Sequence, residues 1–126
     1  MITLLAAGLT LALQTAPSPP QISPATVEDF GQARTALAAQ LPNFRDTWFR
    51  NTHGNFMMFC GELNTQTDLG AYTGWLRFAI LHYDDAPARL YIEGRNDRYL
   101  DLCDPATFDG APSPTGPDYS AEMIYR

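Results

Sequence analysis

Cys60 and Cys103 are the only two cysteines in the 126-residue chain, and they stand 43 residues apart. A chain of this length hides only roughly 65% of the surface its unfolded form exposes, so its core is modest and a covalent restraint has much to add. Joined, the two cysteines would close a loop that stabilises the fold by about 4 kcal/mol on the chain-entropy account, provided the bond is unstrained. Whether they join depends on the compartment.

The N-terminus speaks for export. Residues 2–13 form an almost unbroken apolar run of Leu, Ala and Gly, followed by Gln14, Thr15 and Ala16. That run falls short of the ~20 apolar residues that span a bilayer and has the length of a signal-peptide hydrophobic region. Residues 1–16 are therefore expected to be a signal peptide, although no Lys or Arg precedes the run. No cysteine follows it to carry a lipid anchor, and a periplasmic or secreted location is expected with no membrane attachment after cleavage. In that setting an even pair of cysteines reads as a disulfide. The rival is a Cys60 nucleophile activated by His53 or His82, which would need a free thiolate in an oxidising compartment.

Pro17, Pro19, Pro20 and Pro24 make residues 17–24 an extended linker. The α+β domain is expected over residues 25–105. Ser23 and Pro24 offer a helix N-cap and first position, and Val27, Phe30, Leu37 and Leu41 follow helical spacing, which predicts a helix to about Gln40, before Pro42. Strand patterns follow at residues 47–52, 56–63, 72–83 and 89–93. Phe56, Met57, Met58 and Phe59 are apolar on both alternating faces, the mark of a central strand covered on two sides. Leu76, Phe78 and Ile80 share one face of the next, with Thr73, Trp75, Arg77 and Leu81 on the other, and Leu90 and Ile92 point inward from the last. His53-Gly54-Asn55 reads as a turn. The architecture expected is one N-terminal helix packed on a small antiparallel sheet of three to five strands, held by one disulfide. Pro112, Pro114 and Pro117 make residues 106–126 an irregular tail, within which 119–125 could add an edge strand.

The sequence Cys60-Gly61-Glu62-Leu63-Asn64, followed by Gly70-Ala71-Tyr72-Thr73-Gly74-Trp75-Leu76-Arg77-Phe78, resembles small exported or lipid-anchored proteobacterial proteins of unknown function that carry C-G-x-x-N and then G-x-Y-x-G-x-x-x-F. The resemblance covers about residues 41–78, and a second cysteine near the domain's end agrees with it. Pro42-Asn43-Phe44 and Ala71 depart from the pattern. The resemblance implies a fold and no activity. Physically, Asn64 can fold its side chain back onto the loop, Gly70 can take positive φ, and Gly74 can admit a close neighbour. As a binding loop the same stretch would present Asn64, Gln66, Tyr72 and Trp75 to a partner.

The net charge of −6 and the eight cations, all Arg, argue against a nucleic-acid surface. His53 and His82 lie in no metal-ligand spacing, so no metal and no cofactor is expected. Glu62, Asp84, Asp85, Glu93, Asp97, Asp101 and Asp104 follow no EF-hand pattern and read as solvated charge. The function expected is that of a non-catalytic envelope domain binding a protein partner, with an inhibitor or immunity-like role among the options. The alternative is a small periplasmic hydrolase with Glu62 or an aspartate as general base, which requires a carboxylate of raised pKa in a concave pocket.

Overall fold

The computed structural model describes residues 23–123. The expected signal segment, the linker up to residue 22 and residues 124–126 lie outside the described residues.

Helix α1 spans Val27–Gln40. Its N-cap is Thr26, not Ser23: the Asp29 N–H donates to Thr26 Oγ1 at 3.1 Å while the Thr26 N–H donates to Asp29 Oδ2 at 2.9 Å. This reciprocal pair satisfies two backbone donors that a Ser23 start would leave to water. The preceding residues form an extended strap instead, with the Ala25 N–H donating to Gly54 O and Tyr119 Oη donating to Ala25 O, both at 3.0 Å. The buried face of α1 is Ala33, Ala36 and Leu37, with Phe30 half-buried beside them. Val27, which shares the helical spacing, is 89% exposed. The helix stops at Leu41, ahead of Pro42, whose ring has no N–H to continue it.

Strands β1 (Trp48–Gly54), β2 (Met58–Asn64), β3 (Leu76–Leu81) and β4 (Arg89–Ile92) form an antiparallel meander in the order β1-β2-β3-β4. His53 and Gly54 belong to β1, and the turn falls one step later because Asn55 Oδ1 accepts from the N–H groups of both Met57 and Met58. β3 is shorter than its apolar pattern, since Gly74 at φ +82° takes the chain out of the ladder before Leu76.

The face toward α1 carries Phe49, Phe59, Leu63, Phe78, Ile80 and Ile92, which pack with Ala33, Ala36, Leu37, Leu41, Phe44 and Met123. The outer face is covered over half its length: Met58, Cys60 and Ala79 lie under Leu100, with Leu102 and Phe108 alongside. The Cys60–Cys103 disulfide, Cα atoms 5.8 Å apart, fastens the 3₁₀ turn Leu100–Cys103 to β2. Sheet and staple were both expected.

The tail is irregular, as its prolines require, but it is packed. Gly110 and Pro112 are buried, and Asn55 Nδ2 donates to Gly110 O at 2.9 Å. The edge strand expected over residues 119–125 is absent from its described part, where Ser120–Met123 form helix α2. Asp118 explains the change: its Oδ1 accepts from the Ser120 N–H at 2.9 Å and starts a turn, and Thr52 of β1 bonds the segment through Asp118 Oδ1, the Tyr119 N–H and Ser120 Oγ in place of a ladder. Among the described residues no helix is long and apolar enough to cross a membrane.

Candidate functional site

The uncovered half of the outer face is a strip of charge and aromatic rings. Register places Arg50 opposite Glu62 and Glu62 opposite Arg77. Arg50 clamps Glu62 with both arms of its guanidinium, Nε to Oε1 at 3.2 Å and Nη2 to Oε2 at 3.1 Å. Beyond Arg77, Glu93 accepts from the Arg77 N–H at 3.1 Å and from its Nε at 3.4 Å. The signs alternate across β1, β2, β3 and the residue that follows β4, so the strip neutralises itself. A bulge between Arg50 and His53, with Asn51 at φ +53°, lets Asn51 Nδ2 donate a further bond to Glu62 Oε1 at 3.0 Å.

At the open end of the strip the Arg50 guanidinium lies 4.2 Å from the Trp75 ring centroid. Trp48, two residues from Arg50 and opposite Asn64, stands on the same face. Trp48 is 58% exposed, Tyr72 48% and Trp75 38%. These are large apolar rings left in water, Trp48 on β1 and Tyr72 and Trp75 on the stretch between β2 and β3.

The loop beneath them is a miniature hairpin. Asn64 Oδ1 accepts from the Gly74 N–H at 3.1 Å, Gln66 and Tyr72 form a bridge, and the Thr67 N–H donates to Ala71 O at 2.7 Å. Gly70 and Gly74 have φ of +85° and +82°, a region where a Cβ would be strained. Gly74 therefore serves backbone conformation, since nothing crowds its Cβ position, and the close neighbour expected there is absent. Asn43 Nδ2 ties the loop to the end of α1 by donating to Gln66 O at 2.7 Å.

The four residues expected to bind are thus divided. Asn64 and Trp75 belong to the outer strip, and Tyr72 stands exposed on the hairpin. Gln66 is half-buried and lines a different recess with Leu41, Pro42 and Asn43. Sequence reasoning missed Trp48 and Arg50 as members of the strip; their period-two spacing was the available signal.

Glu62 lines an open recess of about 390 Å³ together with His53, Arg77 and the disulfide. The bonds from Arg50 and then Asn51 hold its carboxyl below its ordinary value, against a smaller opposing effect of burial. That is the reverse of the raised pKa a general acid or base needs at neutral pH. His53 Nδ1 lies 3.0 Å from Pro117 O, and both cysteines are in the disulfide. His82 is half-buried, with both ring nitrogens shielded from solvent and without a hydrogen-bond partner. Among the described residues no cluster could hold a metal ion.

Comparison with protein-family models, with curated proteins and with solved structures finds no match to the chain.

Proposed function

We propose that this chain is a non-catalytic exported domain that binds a protein partner through its outer strip, in the manner of an inhibitor or immunity factor. The observation that carries the reading is the exposed set Trp48, Tyr72 and Trp75 around a charge ladder that is already paired within the domain. Tryptophan, tyrosine and arginine dominate the energetics of protein interfaces, and rings already held by a strand, as Trp48 is, or by a hydrogen-bonded hairpin and an arginine, as Tyr72 and Trp75 are, lose little entropy when a partner covers them. The ladder brings few unpaired charges to desolvate, while the net charge of −6 favours a basic partner. The apolar N-terminal run and the disulfide support export. The hydrolase alternative is disfavoured for Glu62, whose carboxyl, held below its ordinary value by Arg50 and Asn51, is a weakened base.

The test is capture of the mature protein's partner by wild type and by Tyr72→Ala, Trp48→Ala and Trp75→Ala variants. Each truncation of an anchor is expected to weaken capture by about 1–2 kcal/mol, or five- to thirty-fold, with little change in Tm. Normal capture by a folded Trp48/Trp75 double variant would place the interface elsewhere; deletion of residues 111–126 is no control, because it removes Tyr119 and Met123 from the core.

A further inference from the structure

Three of the eight arginines fall within ten residues, Arg89, Arg95 and Arg98, interleaved with Tyr91 and Tyr99. The fold gathers two of them at the β4 edge, beside the 3₁₀ turn and apart from the aromatic strip. Tyr83, Arg89, Tyr91, Asn96, Arg98 and Tyr99, with Ala86, line an open recess of about 450 Å³. No carboxylate lines it. Arg50 and Arg77 are each paired to a glutamate, whereas Arg89 and Arg98 have no ion-pair partner among the described residues. In a protein of net charge −6, two guanidiniums left without counter-charge in one concavity make a local site for an anion.

The remaining lining says what kind of anion. Tyr91 is only 6% exposed and its ring meets Tyr99 edge-on, centroids 4.9 Å apart, while the Arg98 guanidinium sits 5.3 Å over the Tyr99 ring. Tyr83 Oη and Tyr91 Oη are 3.0 Å apart. One of their two protons serves the bond between them, and the other remains to donate outward. Burial, and then the bond to Tyr83, push the Tyr91 hydroxyl up to about 12, so it stays a neutral donor. A bare carboxylate would use the arginines and leave the ring surfaces, the outward hydroxyl and the Asn96 amide idle, and a bare phosphate would leave the ring surfaces unused. A ring that carries both hydroxyls and an acid uses them all, and one hexose-sized unit suits a recess of this size.

We propose that this recess binds a single acidic sugar unit, with Arg89 and Arg98 on its carboxylate and the tyrosine hydroxyls and Asn96 on its ring hydroxyls. Planar guanidinium forks match a carboxylate in a bidentate way, which an ammonium could not. The site is independent of the proposed protein-binding strip, and the two readings can fail separately.

The experiment is a titration of the isotope-labelled protein with glucuronate, followed by backbone amide NMR, with glucose and acetate as matched controls. Saturable shifts confined to residues 83–99 are expected, with a millimolar Kd, and each control should bind at least about tenfold more weakly. Arg89→Gln and Arg98→Gln should each weaken glucuronate about tenfold at unchanged Tm, and Arg98→Lys should restore only part of the loss. The proposal is overturned by the absence of saturable shifts, by shifts that map to Trp48 and Trp75, by acetate binding as well as glucuronate, or by arginine variants that bind normally.

Discussion

Gln40, the last residue of α1, occupies the edge of β4 as a neighbouring strand would: its Nε2 donates to Ala88 O at 2.7 Å and its Oε1 accepts from the Leu90 N–H at 2.9 Å. One side-chain amide thereby satisfies both a donor and an acceptor of the edge. The opposite edge is met in a similar way at Thr52, whose N–H donates to Asp118 Oδ1 and whose carbonyl accepts from the Tyr119 N–H. Open strand edges invite pairing between copies, and both edges of this sheet are blunted by side chains or tail instead of further strands.

Replacing Gln40 with Ala should therefore act twice. Two backbone groups lose their partner, at a cost of about 1–2 kcal/mol in denaturant unfolding. The bared β4 edge should also raise self-association, visible as a concentration-dependent sedimentation coefficient. A variant that is less stable yet strictly monomeric would show that the amide is only a tether between helix and sheet.

His82 makes stability depend on pH. Its ring lies edge-on to Phe59, centroids 5.9 Å apart, with both nitrogens buried and unpartnered. Burial pushes its pKa below the ordinary 6.5, and the Asp29 charge on α1 pulls it part of the way back. The unfolded chain then takes up a proton before the folded one does. Stability is unaffected well above 6.5, falls as pH drops through that value, and stops falling on this account once pH passes below the folded pKa. Unfolding free energy should decline between about pH 7.5 and 5.5 in the wild type and stay nearly flat in His82→Phe. An equal decline in the variant would assign the acid sensitivity to other groups.

What could be read from the sequence followed short-range periodicity. Leu76, Phe78 and Ile80, and Leu90 with Ile92, alternate cleanly and face the helix as read. The expected two-sided cover holds for Met58–Cys60 at the start of β2, whereas Phe56, read with it, stands 61% exposed in the preceding turn; the cysteine pair is bonded. The helix face was legible only in part: its contact surface is built from Ala33 and Ala36, which bring the helix close to the sheet, so a pattern drawn from large residues alone wrongly enlisted Val27. The Gln40 bonds to β4 span about 50 positions, and no local pattern announces them. The outer strip was half legible. Asn64 and Trp75 stand in a recognisable motif, but joining Trp48 and Arg50 to them requires the strand register, which the bulge at Asn51 shifts. The arginines of residues 89–98 lie close in sequence, but their grouping with Tyr83 depends on how the β3–β4 connection folds back.

Arg50 is the joint between the ladder and the aromatic end of the strip, since the same guanidinium clamps Glu62 and lies on Trp75. Both contacts are largely exposed, so they order the surface more than they stabilise the fold, and Arg50→Gln should cost less than about 1 kcal/mol at neutral pH. Its local effects should be larger. Without the clamp, the Glu62 carboxyl should titrate nearer its ordinary 4.5. A depressed carboxyl contributes stability that is present above 4.5 and lost as pH falls through the folded pKa, so the variant should lose less stability on acidification across that window. Carbon-detected NMR of the Glu62 carboxyl follows the titration, and the Trp75 indole N–H resonance reports the stack. An unmoved Glu62 would mean that Asn51 alone holds the charge. A Trp75 signal unchanged in shift and width would mean that the ring is held by the hairpin rather than by the cation, and the strip would then present its aromatic rings to a partner without help from the ladder.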